Sequence, residues 1–266
     1  MLLNLQIHSL IEYSEKTLLE RLVLTEKKFG KFLDGFEIYI FPEYSNKQHQ
    51  KDKEKISQIL SKYHVNTFHL VANQQFPFNK NSEWAEQCFQ TMHYYNCKKL
   101  ITRAVVHPDI FVDLDYLLQL SNKYSIKIGI EILGEDASTG NTFTTISNIM
   151  TQYKDFDLVA DTAHIYEMTI RGEPPMDVYF KSFSNRLKHI HISAAGNFYN
   201  ELNISEDIRT SHSLVSLKWK SLYQFIPIIS RINNLLFTIE GVVPSGNFGK
   251  DLLLSEISFI RNCYKK

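Results

Sequence analysis

Little in this chain marks a sharp bend or a linker. Only 10 glycines and 7 prolines are scattered over 266 residues, with no cluster of either. A collagen-like or low-complexity chain is excluded, and no shift of composition marks an internal boundary. One domain over residues 1–266 is therefore expected. The glycine-rich turn that cradles a phosphate after the first strand of a doubly wound sheet is missing as well, so no nucleotide cofactor is expected. Charge of one sign is also lacking. Lys plus Arg number 29 and Asp plus Glu number 29, which removes the simplest case for a nucleic-acid partner. Cysteines number three, Cys88, Cys97 and Cys263, and their spacing fits no zinc or redox motif. They read as reduced thiols of a cytoplasmic protein. No apolar run approaches a membrane span, and the apolar start "MLLNLQIHSL" has neither a basic region before it nor a cleavage site. No membrane partner is expected.

What the chain has is alternation. Short apolar, β-rich runs recur: "LLNLQIHS", "FEIYIF", "VNTFHLV", "KLITRAVVH", "IKIGIEIL", "FDLVAD", "LKHIHIS" and "LLFTIEG". Amphipathic helical stretches lie between them, among them "EKTLLERLVLTEKKFG", "KEKISQILSKYH", "SEWAEQCFQTMHYYN", "VDLDYLLQLSNKY" and "TFTTISNIMTQY". The period is about 30 residues, the length of one βα unit. Eight such units match a (β/α)8 barrel, typically about 250 residues long. An open doubly wound sheet is the other arrangement that alternation permits. The one long irregular stretch runs from Ser193 to Ser216, and loops of that length are usually functional.

A barrel of this kind places its site at the C-terminal ends of the strands. His69 and His107 end the third and fourth runs. Glu131 lies in the fifth, Asp161 ends the sixth with His164 three residues on, His189 and His191 lie in the seventh, and Glu240 ends the eighth. Each has an ordinary alternative. Asp161 could simply cap a helix, Glu131 could pair with Arg103, and a lone His is often a satisfied core residue. Six consecutive strands bringing a carboxylate or an imidazole to one end is harder to dismiss, because charged groups are rarely buried unless paired or metal-bound. A divalent cation is the simplest compensation for carboxylates gathered in one cavity, and the oxygen and nitrogen donors suit zinc, manganese or a similar ion. His189 and His191 share one face of their strand. His191, nearer the C-terminal end, is the expected ligand, and His189 lies deeper.

Glu131 in "IGIEI", "DTAH" at 161–164, "HIH" ending at His191 and Glu240 in "TIEG" together resemble the xylose-isomerase-like TIM-barrel superfamily, also called the AP endonuclease family 2 group. The resemblance covers essentially the whole chain. It implies one of two chemistries. In the sugar and sugar-phosphate isomerases and epimerases, one divalent ion (manganese, zinc or cobalt) is held by the residues matching Glu131, Asp161, His191 and Glu240. The two glutamates then move a proton off and onto carbon through an enediolate, and the residue matching His164 contacts a substrate oxygen. The substrate implied is a small sugar or its phosphate.

In endonuclease IV and related phosphodiesterases a zinc cluster is bound. His69 and His107 would complete a second metal site with Glu131, and His164 and His212 would belong to a third. That third site normally carries an Asp where this chain has Thr210, with Asp207 close by. Under the isomerase reading His69, His107, His212 and Arg209 are expected to bind substrate, Arg209 through its paired donors to an anionic group. Asn197 and Tyr199 could join them in the long loop. Glu37 and Glu43 stay ambiguous, "FPFN" at 76–79 could wall the pocket, and Trp84 and Trp219 are expected to pack helices on the barrel. Relatives often dimerise through barrel helices, so a homo-oligomer is compatible with the resemblance.

Overall fold

The computed structural model describes residues 1–40, 47–95, 103–132, 142–196, 199, 212–215 and 235–264. Arg209, Thr210, Asp207, Glu43, Asn197, Trp219 and Cys97 lie outside them, as does most of the 193–216 stretch. The strands are β1 Leu2–Gln6, β2 Gly35–Ile40, β3 Thr67–Leu70, β4 Arg103–Val106, β5 Lys127–Glu131, β6 Asp157–Asp161, β7 Leu187–Ile192, β8 Ala194–Ala195, β9 His212–Ser213 and β10 Leu236–Ile239. Eight of them close a parallel barrel in the order β1-β10-β7-β6-β5-β4-β3-β2, and β8 and β9 pair separately as an antiparallel ribbon. Each of the eight apolar runs read from the sequence carries one barrel strand. They read as nearly continuous apolar runs because parallel strands of a barrel are covered on both faces. In β3, β4 and β10 every residue is buried.

The described helices are α1 Leu18–Phe29, α2 Lys47–Leu60, α3 Glu83–Tyr95, α4 Leu114–Tyr124, α5 Phe143–Gln152, α6 Thr162–Ile170, α7 Met176–Ser182 and α8 Gly246–Tyr264. Their starts are chemically marked. Thr17 caps α1 in a reciprocal box with Glu20, Asp113 caps α4 through the Tyr116 amide, and Thr142 caps α5 through the Thr145 amide. Trp84 is buried on α3 with its ring edge-on to Phe76 at 5.8 Å, as expected of a helix-packing tryptophan. Phe78 goes into the core and bridges Val112. Cys88 is a buried free thiol on α3. No helix among the described residues is long and apolar enough to cross a membrane.

At the N-terminal ends of the strands, Arg103 on β4 donates to Asp157 on β6 at 2.7 Å and to the Lys188 carbonyl on β7 at 3.3 Å. This ties three strands together. It also settles one alternative left by the sequence: Arg103 pairs with Asp157, and Glu131 finds its partners elsewhere.

Gly35 begins β2 where backbones come closest. A Cβ there would sit 1.4 Å from the Val65 carbonyl oxygen and 2.8 Å from Asn4 Oδ1. Neither the β3 approach nor β1 can give way cheaply in a closed barrel. Gly35→Ala is expected to cost at least ~1–3 kcal/mol of stability, measured as a lower denaturant midpoint at unchanged slope. An unchanged midpoint would show that β2 is free to shift.

Candidate active site

The C-terminal ends of the strands carry a cluster of buried acids and imidazoles. Glu131, the last residue of β5, is at its centre. Its Oε1 accepts from His191 Nδ1 at 2.7 Å, and its Oε2 accepts from His69 Nε2 at 2.7 Å and His107 Nε2 at 3.0 Å. Burial opposes its ionisation, but the His191, His107 and His69 rings outweigh it and hold the carboxyl well below the usual range.

His191, on β7, has carboxylates on both edges of its ring. Nδ1 faces Glu131 and lies 3.1 Å from Glu240 Oε2, while Nε2 lies 3.1 Å from Glu37 Oε2. Burial works against its charge, and Glu131, Glu37 and Glu240 reverse this and raise it well above the ordinary imidazole range.

Glu240 follows β10. Its two oxygens live differently. Oε1 accepts from Gln6 Nε2 at 2.6 Å and from the Tyr39 hydroxyl at 3.3 Å. Oε2 is buried without a hydrogen bond, because the one N–H of Nδ1 is directed at Glu131. Asp161 ends β6 and divides in the same way. Oδ1 accepts from the His164 amide at 2.8 Å and caps α6, while Oδ2 is buried with no hydrogen-bond partner. Burial pushes this carboxyl up to about 7, with His164 and His212 pulling against it and Glu240 and Glu131 adding to it.

His164 sits in the first turn of α6, with Nδ1 3.5 Å from Glu167 Oε2 and its ring edge-on to His212 at 4.8 Å. Burial again disfavours its charge, yet Asp161 and Glu167 carry it to about 10. His212, on β9, has Nδ1 3.2 Å from Ser193 Oγ.

Three groups result among the described residues, each with donor atoms within 4.8 Å of one another: His69, Glu131, His191 and Glu240; Asp161, His164 and His212; and Glu37, His189 and His191. Three of the four residues expected to hold one metal therefore cluster directly, joined by His69. Asp161 is grouped with His164 and His212 instead. His107 reaches Glu131 from the part-exposed rim. His189 lies deeper, with Nε2 2.7 Å from Thr238 Oγ1. Gln6, Ser9 and Tyr39 were not read as site residues. Ser9 Oγ contacts both Gln6 Oε1 and the Glu240 carbonyl at 2.9 Å. Their one sequence signal is position, since Gln6 ends β1 and Tyr39 is next to last in β2.

The donor set fits a divalent cation. It consists of oxygens and nitrogens only, gathers four buried carboxylates among its imidazoles, and holds three buried carboxylate oxygens, Glu37 Oε1, Asp161 Oδ2 and Glu240 Oε2, that accept no hydrogen bond.

No family model and no curated protein sequence matches the chain. Solved structures do, and their fold is that of the xylose isomerase-like TIM barrels. A D-allulose 3-epimerase from Methylomonas sp., in complex with D-allulose, is 11% identical over 99% of this chain and 97% of that one, with a TM-score of 0.66. The probable 3-DHS dehydratase AsbF, involved in petrobactin synthesis, from Bacillus anthracis is 13% identical over 98% and 99%, with a TM-score of 0.62. An AP endonuclease, family 2, from Brucella melitensis is 14% identical over 98% and 97%, with a TM-score of 0.58. At these identities the likeness establishes the architecture alone.

Cap and ligand are separable at Asp161, because Asn caps as well as Asp. With a chelator present, Asp161→Ala is expected to lose about 1 kcal/mol and Asp161→Asn to keep wild-type stability. Both are expected to bind a divalent ion more weakly. Wild-type ion affinity in Asp161→Asn would leave the residue as a cap only.

Proposed function

We propose that the chain is a divalent-metal-dependent isomerase or epimerase of a small sugar or sugar phosphate. One observation carries the reading: Glu131 and Glu240, from separate strands, both converge on Nδ1 of His191, with an unpartnered carboxylate oxygen on Glu240 beside it. Glu131, Asp161, His191 and Glu240 are the residues that would hold the ion. When bound, such an ion polarises a substrate carbonyl and neighbouring hydroxyl, making the adjacent C–H more acidic. The remaining work belongs to side chains. One glutamate takes the proton from carbon and the other returns it to the opposite face or to the neighbouring carbon. Gln6 and Tyr39 fix Glu240 through Oε1, which leaves Oε2 toward the substrate. His164, beside Asp161, steadies a substrate oxygen, and His69, His107 and His212 are placed to meet hydroxyls. The neighbour bound to D-allulose supports a small sugar as the ligand class.

A second reading, phosphoester hydrolysis by a multinuclear centre acting on a small molecule, is favoured by a different observation. Glu131 divides its oxygens between His191 on one side and His69 with His107 on the other, as a carboxylate shared by two ions would. The Asp161, His164 and His212 group adds to it. Abasic DNA is the weaker substrate for that reading, given the zero net charge.

Variants separate the two. Under isomerisation Glu240→Gln folds normally and loses at least ~100-fold of turnover in a ketose epimerisation assay, and His107→Ala loses far less. Under hydrolysis the two changes damage phosphodiester cleavage comparably. Full epimerase activity in Glu240→Gln would overturn the proton-transfer role.

A further inference from the structure

We infer that Glu37 is a positioning residue that fixes the His191 ring, so that Nδ1, and not Nε2, is the nitrogen offered to a divalent ion. The inference rests on the metal-dependent reading of the same site. Glu37 is on β2 and fully buried. Its Oε2 accepts from Thr67 Oγ1 at 2.8 Å and from His191 Nε2 at 3.1 Å. Thr67 is the register partner of Glu37 on β3, so the strand ladder itself holds the acceptor in place. Oε2 already serves as the acceptor for Thr67 Oγ1, so it accepts from Nε2 as well, and Nε2 carries the proton that faces it.

Nδ1 is then the nitrogen able to give up its proton to a cation. It is also the one among the site carboxylates, 2.7 Å from Glu131 Oε1 and 3.1 Å from Glu240 Oε2. The neighbouring imidazole does not take this place. His189 Nε2 is engaged by Thr238 Oγ1 at 2.7 Å and lies 3.8 Å from Glu37 Oε2. A carboxylate behind a ligating imidazole locks the ring plane and tautomer and raises the basicity of the ligating nitrogen. Thr67, Glu37 and His191 thus form a relay from the barrel wall to the site.

The test uses the full chain, with Mn2+ as the probe, in wild type, Glu37→Gln and Thr67→Val. Gln keeps the shape and an acceptor oxygen but not the charge. Val keeps the shape of Thr67 and removes only its hydroxyl, which covers the case in which Glu37→Gln fails to fold. Affinity is read by competition with a chelating dye, and melting is read in EDTA. Glu37→Gln is expected to bind Mn2+ about 10–100-fold more weakly at the wild-type stoichiometry. Thr67→Val should fall between the two, and both should melt close to wild type in EDTA. Unchanged affinity in both variants overturns the inference, and so does the loss of a whole ion per chain, which would make Glu37 itself a ligand. A wild type that binds no Mn2+ is a separate failure: it removes the metal-dependent reading, and this inference falls with it.

Discussion

His191 is fully buried at the centre of the barrel with carboxylates against both edges of its ring, Glu131 and Glu240 on Nδ1 and Glu37 on Nε2. Burying ions costs several kcal/mol each unless geometry returns it. Here the return comes from convergence. Glu37, Glu131, His191 and Glu240 stand on or directly after β2, β5, β7 and β10, and of these strands only β7 and β10 are neighbours. A closed barrel brings the four together; an open sheet would spread them. Barrel closure and the charge cluster are therefore one arrangement seen at two scales.

Neutral donors complete it. Glu240 is steered by Gln6 and Tyr39, Glu37 by Thr67, and His189 by Thr238. What these leave without a partner is narrow: one oxygen of Glu240 and one of Asp161 near the strand ends, and, deeper, Glu37 Oε1 and the Nδ1 atoms of His69 and His189. Buried polar atoms are nearly always satisfied, so these carboxylate oxygens without a hydrogen bond, set among imidazoles, mark where positive charge belongs. The rim differs from the centre. His107 is part-exposed, and His164 on α6 meets His212 on the β8–β9 ribbon ring edge to ring.

The sequence made the barrel legible because strands covered on both faces stay apolar, and a charge in such a run stands out. Glu131 inside "IGIEIL" and the His pair in "HIHIS" are visible for that reason. Helix α6 shows in the sequence only as the helix that Asp161 could cap, because it follows the last strand residue with no polar turn between, and α7 is only seven residues long. The β8–β9 ribbon has two residues per strand, too few for any period to show. In the sequence Asp161 stands between cap and ligand, because spacing cannot assign a carboxylate's two oxygens to different tasks. Gln6 and Tyr39 carry no charge, and only the closure of β1 on β10 and β2 reveals that they serve Glu240. Glu37 remained ambiguous because its partner, His191, lies 154 residues away in the chain.

On the proposed function, this cluster holds one divalent ion for proton transfer. Elemental analysis of protein purified with neither added metal nor chelator tests it most directly. One manganese, cobalt or zinc per chain is the expected result. No metal at all would contradict the claim outright, and two or three zinc ions per chain would contradict the isomerase chemistry in favour of phosphoester hydrolysis with His69 and His107 as ligands.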